Sequence, residues 1–117
     1  MTNKTAFEPV QCHLWAKEKL EDYDLYGVFE DVQVFFEDSH FSRKLMRCKQ
    51  CGQLYLKEFK EDVDWIDGED PQYWTYVPVR DMAEADGMDI ALSPSPRIHV
   101  DYPKGEPKKI YWARRGK

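Results

Sequence analysis

Two cysteines separated by two residues and followed by a glycine, in the run Arg47-Cys48-Lys49-Gln50-Cys51-Gly52, constrain this chain more than any other feature in it. Thiolates at that spacing can both face one tetrahedral ion if the backbone between them turns tightly, and a glycine after the second relieves the crowded turn. The flanks, Phe41 to Cys48 before and Leu54-Tyr55-Leu56 after, are rich in strand formers. The segment therefore predicts a hairpin that delivers two metal ligands at its turn.

The piece Cys48-Lys49-Gln50-Cys51-Gly52 resembles the knuckle of zinc-ribbon and rubredoxin-like proteins, in which one strand enters the CxxC turn and another leaves it. The resemblance implies a structural Zn2+ but covers only this short stretch. Zinc ribbons usually carry a second CxxC or a CxxH; here Cys12 and His13 stand side by side instead. The longer run from His40 to Tyr55 also looks like small bacterial proteins of unassigned function, a likeness that bears on lineage and supplies no activity.

The chain has three cysteines and three histidines. Cys12, Cys48 and Cys51 leave a tetrahedral ion one ligand short, and His13, His40 and His99 are the candidates for a Cys3His site. His40 lies eight residues before Cys48, a span of roughly 26 Å if extended, and needs a sharp reversal to reach the metal. His99 would have to arrive across a terminal hairpin. His13 travels with Cys12, so the set chosen is Cys12, His13, Cys48 and Cys51, with an isolated core thiol as the rival reading of Cys12. A thioredoxin-like redox pair is the rival for the CxxC itself; it wants a helix N-terminus after the first cysteine, which the β-rich residues after Gly52 do not offer.

A chain of 117 residues fits one domain. The expected organisation is a flexible start over 1–8, a single zinc-stabilised domain over 9–113 and a basic tail over 114–117. Met1 to Glu8 are polar and no apolar run approaches the ~20 residues of a membrane span, so the sequence predicts a cytoplasmic chain with no membrane contact. Thiols stay reduced there, and an odd cysteine count points further toward metal ligation or isolated thiols.

Leu14 to Tyr23 contains good helix formers and predicts a short helix. Strands are expected over Val32 to Phe36, Phe41 to Cys48, Gln53 to Trp65 and Tyr73 to Val79, with turns at Asp38-Ser39 and from Ile66 to Pro71. Asp81 can cap a helix through Asp86 that ends at Gly87; Arg97 to Tyr102 and Lys108 to Trp112 form a last hairpin around Pro103 to Pro107. The fold class this implies is α+β: a small antiparallel β-rich domain with a zinc-knuckle hairpin and one or two short helices.

A net charge of -5 speaks against a surface that tracks a phosphate backbone and suits a protein partner with a basic surface. The charge is uneven. Lys57 to Asp70 holds seven acids and two lysines, whereas Lys104 to Lys117 holds six bases and one acid. The acidic stretch places Asp64, Asp67 and Asp70 as candidate partner-binding residues, although most such runs are solvated faces. It does not make an EF-hand, because counting from Asp62 the glycine falls at the seventh position instead of the sixth. Tyr73, Trp74, Tyr76, Tyr111 and Trp112, with Lys108, Lys109, Arg114 and Arg115 nearby, could form a stacking platform for nucleic acid, against the plainer reading of core aromatics and a charged tail. No Ser/His/Asp arrangement, phosphate-binding glycine loop or HExxH motif is present. The leading expectation is a non-enzymatic, zinc-binding protein-interaction domain, in one form a bacterial toxin-neutralising immunity protein; the alternatives are a zinc-ribbon-like nucleic-acid binder and a CxxC redox protein.

Overall fold

Successive runs of strand formers give a meander, and that is the architecture of the computed structural model, which describes residues 7–17, 19–63 and 70–113. Six strands, β1 (Phe29–Glu37), β2 (Phe41–Cys48), β3 (Leu54–Glu61), β4 (Gln72–Val79), β5 (Arg97–Tyr102) and β6 (Lys109–Ala113), lie in chain order in one sheet. Every neighbouring pair is antiparallel. β1 and β6 are its edges, and β1 carries two register shifts, between Asp31 and Gln33 and between Val34 and Phe36, of the kind that twist an exposed edge away from further pairing.

The α+β expectation is corrected by this arrangement: the chain is mostly β, and among the described residues its helical part amounts to two short α-helices, α1 (Asp22–Leu25) and α2 (Met82–Asp86), with two 3-10 turns. The predicted helix over Leu14 to Tyr23 is where the expectation fails. The segment breaks into a 3-10 turn at His13–Ala16, an extended stretch in which Lys19 bridges to Tyr111, and α1. Tertiary contacts override helix propensity here. The Leu14 carbonyl is taken by the Trp112 indole N–H at 2.8 Å and by the Lys17 amide of the 3-10 turn at 3.2 Å, while Trp15 meets Trp112 edge to face. The expected helix from Asp81 does form, its N-cap carboxylate accepting from the Glu84 amide at 2.8 Å.

Strand alternation sorts the side chains to two faces. On one, Met46, Cys48, Tyr55, Tyr76, Ile98, Val100 and Trp112 pack beneath the N-terminal segment, which contributes Cys12, Leu14 and Leu20. On the other, Leu45, Leu56 and Val79 pack against Ala85 of α2 and against Met88 and Ile90 from the β4–β5 connection. Two arginines tie that connection down. Arg43 donates to the carbonyls of Ala85 and Met88 and pairs with Glu58; buried Arg97 donates to the carbonyls of Ile90, Ser93 and Ser95.

The expected tail over 114–117 lies outside the described residues, as does most of the expected flexible start over 1–8. So do Trp65, Asp64, Asp67 and most of the predicted turn from Ile66 to Pro71. No helix among the described residues is long and apolar enough to cross a membrane.

Candidate metal centre

Cys48 ends β2, and the chain reverses before β3 through residues 49–53. The reversal is closed by backbone bonds from the Gly52 amide to the Cys48 carbonyl, 2.8 Å, and from the Cys48 amide to the Gln53 carbonyl, 2.9 Å. Gly52 sits at φ 81°, a left-handed conformation that a side chain would strain. The turn is moored laterally by the Lys49 amide donating to the Val28 carbonyl at 2.8 Å.

The opposite half of the site comes from the N-terminal segment. Buried Leu14 and Leu20, the Trp112 bond to the Leu14 carbonyl and the Lys19 bridge to β6 hold this segment across the sheet. Cys12 and His13, at the entrance to the 3-10 turn, are thereby brought to the knuckle. The donor atoms of Cys12, His13, Cys48 and Cys51 all lie within 4.8 Å of one another, so these four residues can hold a metal ion. Zn–S bonds of about 2.3 Å and Zn–N bonds of about 2.0 Å at tetrahedral angles imply edges of roughly 3.5–3.8 Å between ligand atoms. The Cys48 Sγ to His13 Nδ1 distance, 3.9 Å, is already close to such an edge.

The surroundings treat the thiols differently. Tyr55, fully buried on the strand that leaves the knuckle, donates its hydroxyl to Cys12 Sγ at 3.0 Å. Burial pushes the Cys12 thiol up to about 12, against the pull of that hydroxyl and of the Leu14 amide. Exposed Cys51 ionises more readily: burial opposes its charge, but the Gln53 amide, the Cys12 and Cys48 thiols and the His13 amide donate toward it and carry its pKa below the ordinary thiol value. Burial also drives the Tyr55 phenol far upward, which keeps it a donor. Backbone amides and a hydroxyl aimed at sulfur are the outer-shell partners that a bound cation's thiolates require.

The other candidates lie elsewhere. His40 stands at the far end of β2 from Cys48, where its Nδ1 pairs with Glu61 at 2.9 Å. His99 lies on β5, 3.3 Å from the Thr75 hydroxyl and beside the Tyr111 ring. Of the three candidate partner-binding acids, only Asp70 lies among the described residues. The aromatic platform does not assemble as one surface: the pairing of β4, β5 and β6 places Trp74, Tyr76 and Trp112 on the metal-centre face and Tyr73 and Tyr111 on the other, with Tyr76 and Trp112 buried. Sequence reasoning did not single out Tyr55 as part of the site. The hairpin register carries the signal: Tyr55 pairs with Met46, which alternation places on the same face as Cys48.

No protein-family model matches the chain, and neither does any curated protein or solved structure. What fold and site together define is a mostly β chain with a Cys3His cluster competent to hold a metal ion.

Proposed function

We propose that Cys12, His13, Cys48 and Cys51 bind one structural Zn2+, and that the chain works as a zinc-stabilised, non-enzymatic binding domain in a reducing compartment. The observation that carries the reading is the convergence within 4.8 Å of donors from two segments that share no hydrogen-bonded strand pairing. Three sulfurs and one nitrogen complete a tetrahedral sphere, which is the closed arrangement of structural zinc sites; catalytic zinc keeps a position open for water or substrate. The ion would cross-link the N-terminal segment to the knuckle. A protein partner with a basic surface is supported by the net charge of -5 and by the acidic stretch, and nothing in the fold narrows that partner to a toxin.

Metal analysis of the purified chain tests the proposal. One zinc ion per chain is expected, lost in Cys48→Ser and in Cys12→Ser; zinc retained in full by Cys12→Ser would require a different ligand set. The exposed, more acidic Cys51 beside Cys48 favours a thiol redox pair as the second reading. That reading predicts metal-free protein with a reversible Cys48–Cys51 disulfide.

A further inference from the structure

Beyond the candidate metal centre, on the same face of the sheet, the chain leaves a cleft of about 710 Å3 between α1 and the sheet, lined by residues of all six strands. That volume is in the range of small-molecule sites. Its walls are flat and apolar: Phe29 stacks on Tyr76 with centroids 5.2 Å apart and planes 22° from parallel, and Trp74, Met46, Val100 and Ile110 continue the lining. Tyr23 and Tyr26 stand at the rim, 75% and 88% exposed, large rings held out beside an apolar trough.

Two lysines line this cleft, and they differ. Lys108 is neutralised by Asp22 at 3.1 Å. Lys57 is half-buried, with its Nζ 5.7 Å from the centre of the Tyr76 ring, and it forms no ion pair with a described residue. The nearby carboxylates are already engaged, since Lys44, its register partner on β2, takes Glu37 at 3.0 Å and Asp31 at 3.8 Å. Burial and the neighbouring Lys44 lower the Lys57 pKa, and the attraction of Asp31 and Glu37 offsets only part of this. A cation held beside aromatic rings with no ion-pair partner among the described residues favours an anionic ligand.

We propose that this cleft binds a small planar aromatic acid, its ring between the Tyr76 and Trp74 walls and its carboxylate on Lys57. Planarity follows from the flat walls. A single negative charge follows from the single lining cation that lacks an acid among the described residues. A nucleic-acid strand would need several such cations, and the chain's net charge opposes one.

The test uses the full, metal-replete chain titrated with naphthoate and with its neutral analogue naphthalenemethanol, followed by NMR shifts of the Trp74 and Tyr76 side chains and by calorimetry. Naphthoate should bind saturably below about 1 mM and about tenfold more tightly than the alcohol, the discrimination expected of one charge-assisted contact. Lys57→Met, which keeps the stem and removes the charge, should abolish the preference while retaining one metal ion per chain. Lys57→Arg should preserve it, and should Lys57→Met fail to fold, Lys57→Gln removes the same charge and should likewise abolish the preference. No binding of naphthoate at millimolar concentration, equal binding of acid and alcohol, or a preference that survives loss of the charge would overturn the proposal.

Discussion

The two faces of the sheet are covered by segments of different kinds. The face that packs against α2 is closed by carbon and arginine: Leu45, Leu56, Val79 and Ala85 interlock, and Arg43 and Arg97 satisfy the carbonyls of the covering connection. The face that carries the candidate metal centre is covered by a segment with one four-residue 3-10 turn and one four-residue helix, too short to hold themselves together by helical hydrogen bonding. Its fixed points are Leu14, Leu20, the Trp112 bond and the Cys12–His13 pair set against the knuckle. A cross-linking ion is most useful where the cover has least regular structure of its own, and the cluster is found on that side.

Removing the cross-link should produce the largest difference between the faces. Structural Zn2+ supplies roughly 10 kcal/mol or more of apparent binding free energy to small zinc domains, so Cys48→Ser is expected to lower Tm by about 15 °C or more and to release the ion. Chelation of the unmutated chain should collapse amide-exchange protection at residues 9–28 and around the knuckle while residues 80–96 stay protected. Equal loss on both faces would dissolve the distinction. The opposite perturbation, Leu56→Ala, leaves a void in the apolar face and should cost about 3 kcal/mol in denaturant unfolding. It should still bind one metal ion per chain; a fall in metal content would show that the two seals are coupled through the sheet.

How much of this was legible in the chain depends on the range of the cause. The β2–β3 hairpin with its knuckle, the strands from Tyr73 and Arg97, and the α2 cap at Asp81 rest on local signals: alternating strand formers, a glycine after CxxC, an aspartate before a helix. The proximity of His13 to the knuckle was reachable as well, since it accompanies Cys12 whereas His40 sits at the wrong end of β2. The N-terminal segment was not legible. Its helix formers are overridden by Trp112, a residue near the other end of the chain, whose indole captures the Leu14 carbonyl. The cleft was equally hidden, because the place of Lys57 in it is recognised only once Lys44 is seen to hold Glu37 and Asp31.

The smallest effect should come from a residue that touches the metal centre without entering it. Tyr55→Phe removes one hydroxyl from a fully buried ring, leaves the packing against Phe29 intact, and should cost about 1 kcal/mol of stability. Its larger signature should be in metal affinity, weakened about tenfold, because outer-shell donors to ligands carry effects of that order. The sign follows from Cys12. Burial already holds that thiol protonated up to about 12, the Tyr55 hydroxyl works against burial, and its loss leaves the proton harder to remove when the cation arrives. Affinity should therefore fall for both proteins as pH drops from about 8 to 6, since binding must expel thiol protons. The gap between them should stay constant across that window, because Cys12 is protonated throughout it in either metal-free protein. Competition with a chromophoric chelator at several pH values measures both quantities. Identical affinities for the two proteins would remove Tyr55 from the centre and leave its hydroxyl a packing detail of that face.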